Sequence, residues 1–187
     1  MIQATSTRQL LDYTDALLAQ MDAMVARHCV QAGDCFSNFV GPHVRHILEH
    51  YEALSAQIEP AGNAADALVV DYDARARDQR VQTDPVYARK RIALLRASLK
   101  TLARWPDAAL VKALQVRAQG GMHGDFYMEV PSNWLRELMF LASHCVHHFA
   151  VVKLQTMSHG TDLGANFGKA PATLSYESRI QSHTAFQ

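Results

Sequence analysis

The chain has 187 residues, of which 49% are hydrophobic and 19% charged, a composition typical of a globular domain with its own core. Lys and Arg number 18 together, as do Asp and Glu, so no overall positive field attracts a nucleic acid or a membrane surface, and we expect neither partner. No window reaches the roughly 18 uncharged apolar residues of a membrane span. Three cysteines and an N-terminus without a secretory pattern favour a reduced, cytoplasmic protein.

The first part of the chain predicts two helices. Apolar residues recur at helical spacing between Leu10 and Val25 and indicate the first. The segment 28–41 breaks this period and is predicted to be a connection. Pro42 suits the first turn of the second helix, which should continue to about Ile58 because apolar and charged residues separate cleanly by face.

The middle of the chain predicts a loop, a third helix and a hairpin. The segment 69–78 is dense in alternating charge and is predicted to be a loop or short turn held by ion pairs. Asp84 and Pro85 supply the N-cap and first-turn proline of the third helix. Apolar and polar residues then alternate on both sides of the glycine-rich turn 120–124, which predicts a β-hairpin over about 110–131.

A fourth long helix follows the hairpin. Asn133 is in position to cap it, and the apolar period continues over about 134–158 until Gly160 stops it. The remaining residues, about 161–187, are predicted to form an ordered turn and a tail. Without a repeat or a low-complexity linker, the sequence predicts one domain over 1–187.

Ten histidines are the outlier of the composition. His144 and His148 lie one turn apart beside the apolar stripe of the fourth helix, so their rings can converge on one ion. Two imidazoles in a low dielectric are a poor packing solution, because each ring nitrogen needs a partner and both rings cannot easily be charged. A metal ion satisfies both rings, and we therefore predict a metal site.

The second helix can supply a third ligand. His43, His46 and His50 form a stripe at spacings of three and four that borders the core, and spacing alone leaves them nearly equivalent. His46 and His50 are themselves an i,i+4 pair, so a four-histidine site is the structural alternative. His147 points about a quarter turn away from the pair on the fourth helix and is expected to support the ligands or lie at the surface.

Three protein nitrogens on a divalent ion leave open positions, the arrangement of a reactive site rather than a closed structural one. Such an ion can lower the pKa of a bound water or thiol. Glu137, two turns before His144 on the same face, is the only nearby candidate for a general base. A buried ion pair of Glu137 with Arg45, Arg75 or Arg136 explains it equally well.

Three stretches resemble the DinB-like superfamily, which is similar to the mycothiol- and bacillithiol-dependent transferases. They are the sequences GPHVRHILEH at 41–50, SHCVHH at 143–148 and FGKAP at 167–171. The resemblance implies an all-α fold, an up-down-down-up four-helix bundle to which this chain adds a small β-hairpin before the last long helix.

The resemblance also implies the site and its chemistry. Carried over onto this chain, the ligand of the second helix is His46 and the H-x-x-x-H pair is His144 and His148. It implies divalent nickel, zinc or iron, a homodimer, and a small-molecule substrate or low-molecular-weight thiol. We therefore expect a divalent-metal-binding DinB-like protein, a metal-dependent thiol transferase or a hydrolase of a small molecule. The alternative is a non-catalytic, stress-related protein that binds a metal or another ligand.

Overall fold

The computed structural model describes residues 4–28, 35–58 and 68–184. Its α-helices are α1 (Ala4–His28), α2 (Gly41–Ser55), α3 (Gln79–Thr83), α4 (Pro85–Lys100), α5 (Asp107–Leu110), α6 (Trp134–Met157) and α7 (Pro171–Thr184). A π-helical turn, Phe36–Val40, precedes α2, and a 3-10 turn, Thr101–Arg104, follows α4. The strands are β1 (Val69–Asp71), β2 (Ala113–Gly120) and β3 (Phe126–Asn133).

The predicted all-α fold class is wrong, because the structure contains a mixed three-stranded sheet. The strand order is β1-β2-β3, with β1 parallel to β2 and β2 antiparallel to β3. The hairpin therefore belongs to a sheet, and the chain is not an up-down-down-up four-helix bundle with a hairpin attached. Strand β1 could not be predicted from the sequence. It has only three residues, too few to show alternation, and it pairs with a distant parallel strand, so no hairpin turn accompanies it.

The long helices pack on one another around the core. Helices α1 and α2 each contact both α4 and α6, while β1 contacts α2 and β3 contacts α6. The largest fully buried side chains include Trp134, Tyr51, Phe149, Leu18 and Met21. The sheet thus lies against the same two helices, α2 and α6, that carry the histidine clusters of the sequence.

Helix starts were predicted well because side chains define them locally. Pro42 lies in the first turn of α2. The Asp84 side chain accepts the backbone N–H of Tyr87 at the start of α4, and the Asn133 side chain accepts that of Arg136 at the start of α6. Each cap satisfies a backbone donor that the helix itself cannot.

Two segments predicted to be irregular contain helices. Residues 36–40 form the π-helical turn that runs directly into α2, so the predicted connection over 28–41 is wrong there, while 29–34 lie outside the described residues. The predicted tail over 161–187 is wrong where α7 forms. No apolar stripe marked α7, because its large apolar side chains Tyr176 and Ile180 are exposed. None of the described helices has the length and apolar character needed to cross a bilayer.

Candidate metal centre

Helices α2 and α6 bring five histidines together, which we call the histidine cluster: His43, His46, His50, His144 and His148. The Nδ1 atoms of His43 and His148 are 2.8 Å apart, and the Nε2 atoms of His46 and His144 are 2.9 Å apart. Because the earlier histidine of α2 meets the later one of α6, the two helices run antiparallel here. The predicted convergence of the two clusters is therefore present in the fold.

Three of these rings offer nitrogens at a spacing that can hold a metal ion. One nitrogen from each of His46, His50 and His144 lies within 4.8 Å of the other two. Two imidazole nitrogens on a tetrahedral zinc ion are about 3.3 Å apart, given Zn–N bonds of about 2.0–2.1 Å. The 2.9 Å between Nε2 of His46 and Nε2 of His144 is already close to that separation, so small side-chain movements suffice there.

His148, the third ligand expected from the family resemblance, lies beside these rings but is not one of the three described histidines whose nitrogens converge within 4.8 Å. Its ring centroid is 4.7 Å from that of His46 and 4.6 Å from that of His144. The His50 ring is 4.2 Å from His46 and 4.9 Å from His144. His46 and His144 are thus common to both ligand sets, and the choice of His148 over His50 stays a prediction.

Hydrogen bonds define the tautomers at one side of the cluster. His50 Nδ1 lies 2.7 Å from the backbone oxygen of His46 and donates to it, which leaves His50 Nε2 as an acceptor. Arg75 can only donate, and its Nη1 lies 2.9 Å from Nδ1 of His46 and 3.1 Å from Nε2 of His50. Its distances of 2.7 Å to Nδ1 and 3.1 Å to Nε2 of the same ring place Nη1 against the His50 ring rather than along a nitrogen lone pair, so Nδ1 of His46 is its acceptor.

Burial keeps the cluster uncharged. It lowers the pKa of His46 to about 3 and the pKa values of His50 and His148 to about 4. Desolvation is the largest cause in each case, and neighbouring imidazoles lower these pKa values further. The pKa values of the other two rings shift in the same direction. Neutral rings at pH 7 are the form that coordinates a metal.

The cluster nevertheless reaches solvent. His50 is buried at 7% exposure, whereas His46, His144 and His148 are partly exposed. His147 is exposed at the rim, with its ring 5.4 Å from that of His148, as expected for a residue outside the ligand set. Three residues of the cluster are therefore in contact with solvent.

Glu137 belongs to a separate polar group, which we call the glutamate cluster: Glu137, Tyr72, Ser132 and Arg136. Glu137 is fully buried. One carboxylate oxygen accepts from the Tyr72 hydroxyl at 2.7 Å, and the other accepts from the Ser132 hydroxyl and from Arg136 Nη1 at 2.8 Å. Of the ion-pair partners considered from the sequence, Arg136 is the one observed. Because both oxygens are engaged, Glu137 is a poor general base.

Sequence reasoning missed Tyr72 and Arg75 as site residues. Both come from the segment 69–78, whose charge density predicted a held loop but not the direction of its side chains. The Tyr72 ring stacks on His50 with centroids 5.4 Å apart, and Arg75 reaches His46 and His50. The pairing of β1 with β2 and the hydrogen bond from Asp78 to Glu49 of α2 bring this segment to the cluster, and no local pattern encodes these long-range contacts.

Comparisons with known proteins do not assign the chain to a family. No family model matches it, and no solved structure does. The FK506-binding protein 5 of Rhizopus delemar is 28% identical over 109 residues, which cover 58% of this chain but 27% of the fungal protein. The matched region is thus a minor part of that relative and carries no argument about the histidine cluster.

Proposed function

We propose that this chain is a divalent-metal-binding protein of the DinB-like type, whose histidine cluster holds one nickel, zinc or iron ion. The observation that carries the proposal is the convergence of nitrogens from His46, His50 and His144 within 4.8 Å. Imidazole suits these metals, whereas calcium and magnesium prefer oxygen ligands. The low pKa values of His46 and His50 support neutral rings that are ready to coordinate.

The family resemblance favours His46, His144 and His148 as the ligand set, whereas the convergent nitrogens are those of His46, His50 and His144; His50 is therefore the alternative third or additional fourth ligand. His50 donates its Nδ1 proton to the carbonyl of His46, a bond of the kind that orients metal-binding imidazoles. Tyr72 packs on the His50 ring and further fixes its orientation. His50 therefore either coordinates or shapes the space beside the ion.

The reaction we propose is metal-assisted transfer of a small-molecule thiol, or hydrolysis of a small molecule. A divalent ion with three nitrogen ligands lowers the pKa of water or a thiol held at an open position. The partial exposure of His46, His144 and His148 supports access to such a position. The rings themselves exclude part of the solvent and orient what binds there.

A non-catalytic metal- or ligand-binding protein is the second candidate. The engagement of both Glu137 oxygens favours it, because the carboxylate predicted as the general base is then not free to accept a proton. Turnover of a thiol-containing substrate by the metal-loaded protein would decide for the enzyme. Metal binding without turnover of any thiol or ester substrate would decide for the second candidate.

We also propose that the protein is a homodimer, as the family resemblance implies, and that it lies in a reducing compartment. The free thiols of Cys35 and Cys145 support the second of these proposals. Burial raises the pKa of Cys145, which makes its thiol unreactive. Light scattering on the eluted protein tests the dimer, since a mass of one chain would contradict it.

Metal analysis after reconstitution tests the metal proposal. We expect one ion per chain in the wild type and a large loss in His46→Ala and His144→Ala. His147→Ala is the matched control, because it changes an exposed histidine of α6, and it should retain the metal. Circular dichroism verifies that each variant is folded. Equal metal content in all four proteins, or an empty wild type, would refute the proposal.

A further inference from the structure

Arg75 places a guanidinium beside the histidine cluster without an acidic partner. Its Nη1 lies within hydrogen-bond distance of His46 and His50, and its buried Nε has no hydrogen-bond partner. Within the described ranges, no carboxylate forms an ion pair with it. A partly buried cation with an unused donor is a candidate for anion binding.

The backbone on both sides of Arg75 is fixed. The Asp71 side chain accepts the backbone N–H of Asp73 at 2.9 Å, and the Glu49 side chain accepts that of Asp78 at 2.6 Å. These carboxylates therefore hold the loop, and the guanidinium is oriented before any ligand binds.

A further carboxylate of this loop is occupied in the same way. Asp73 accepts the backbone N–H of Gln119 on β2 at 2.7 Å, which ties the loop to the sheet. Asp73 and Glu49 both act electrostatically on Arg75, yet each bonds to backbone instead. The nearby carboxylates thus hydrogen-bond to the backbone and not to Arg75, so the donors of the guanidinium stay available to another anion.

Metal binding at the cluster creates an excess of positive charge. The rings are neutral, so a divalent ion would add its charge to that of Arg75, which the carboxylates of Glu49 and Asp73 offset only in part. The repulsion between the two cations is strong at a partly buried site. An anion bound by both cations relieves it.

Coordination also releases a donor of Arg75. An imidazole that binds metal through Nε2 carries its proton on Nδ1, and His46 Nδ1 would then no longer accept from Arg75. The guanidinium would need a new acceptor at the same place. A carboxylate suits it, because one oxygen can accept from Arg75 while the other takes the open metal position.

We propose that Arg75 and the open coordination position together bind the carboxylate of a small molecule. This rests on the proposed function, since it requires the metal. A carboxylate is the anion we choose because its two oxygens can reach the guanidinium and the open metal position at once, and phosphate is the competing anion that the experiment must separate from it. Arg75 is in this sense a substrate-selecting residue of the site.

Acetate titration of the Co²⁺-loaded protein tests this, because visible d–d bands report the coordination sphere directly. The buffer should contain perchlorate rather than chloride at fixed ionic strength. Acetate should change the wild-type spectrum saturably. Arg75→Gln should weaken acetate binding by roughly 10- to 100-fold, the loss of a charge-assisted hydrogen bond, and Arg75→Lys should lie between. Arg77→Gln, an exposed position of the same loop, is the matched control and should behave as wild type.

Two results would overturn the inference while leaving the metal site intact. The first is acetate binding to Arg75→Gln with wild-type affinity. The second is a phosphate response that depends on Arg75 when the acetate response does not. Failure of the wild type to bind Co²⁺ would instead refute the proposed function.

Discussion

The histidine cluster and the glutamate cluster are both polar groups held by α6, and they differ in how their hydrogen bonds are satisfied. In the glutamate cluster one carboxylate accepts from three donors, so donors and acceptors match. In the histidine cluster like rings meet nitrogen to nitrogen and have lowered pKa values. A carboxylate surrounded by its donors indicates a structural role, whereas neutral imidazoles that face one another are groups that coordinate a metal ion.

Tyr72 connects the two clusters. Its hydroxyl donates to Glu137, and its ring stacks on His50. We expect substitutions in the glutamate cluster to lower the unfolding free energy and to change metal affinity only weakly. Substitutions in the histidine cluster should mainly lower metal affinity.

The largest expected effect is on metal affinity in His46→Ala. We expect this change to remove most of the affinity, because His46 belongs both to the convergent group and to the ligand set implied by the family resemblance. His43→Ala or His50→Ala should cost about 10- to 100-fold, as residues that support ligands usually do. Competition titration with a chromophoric chelator measures the series. Equal, near-complete loss in His46→Ala and His50→Ala would instead establish His50 as a ligand, and full retention in His46→Ala would reject its assignment.

Glu137→Gln should separate the two clusters most clearly. The buried amide cannot accept from three donors as a carboxylate does, so we expect the metal-free protein to lose about 2–3 kcal/mol of unfolding free energy. Urea denaturation measures this loss, and metal affinity should change by less than tenfold. Unchanged stability together with lost metal binding would show that Glu137 belongs to the metal site.

Acidification should destabilise the metal-free protein through its histidines. The folded pKa values of His46, His50 and His148 lie at about 3 to 4, below the unfolded value of about 6.5. The unfolded state therefore binds more protons, and the unfolding free energy should fall as pH drops from about 6.5 towards 4.

Urea denaturation at several pH values tests this dependence. His46→Gln should flatten the dependence. A wild-type unfolding free energy that rises on acidification through this range would contradict the account.

The smallest effect is expected for Tyr72→Phe. The ring that stacks on His50 is retained, and one of three donors to Glu137 is lost, so we expect a cost of about 1 kcal/mol with metal affinity nearly unchanged. Tyr127→Phe, at an exposed tyrosine of β3, is the control in the same urea experiment. A loss of metal binding in Tyr72→Phe would show that the hydroxyl acts on the metal site itself.

The sequence predicted the parts of this site that depend on local periodicity. A spacing of four places His144 and His148 on one helix face whatever the fold, and Asn133 and Asp84 cap helices through bonds to nearby residues. The convergence of His46 with α6 also followed, because both histidine faces border the core.

What the sequence could not predict depends on long-range pairing. Strand β1 forms only against β2, so the mixed sheet and the approach of Tyr72 and Arg75 to the cluster had no local signal. The choice among His43, His46 and His50 depends on how α2 is rotated against α6, which spacing does not determine.

X-ray absorption at the metal edge of the reconstituted protein tests the central claim most directly. The account predicts one ion per chain with imidazole nitrogen as the main protein ligand, at about 2.0–2.1 Å if the metal is zinc. Multiple scattering from the imidazole rings should diminish in His46→Ala and persist in His147→Ala. A shell of sulfur atoms at about 2.3 Å, or a spectrum without imidazole scattering, would contradict it.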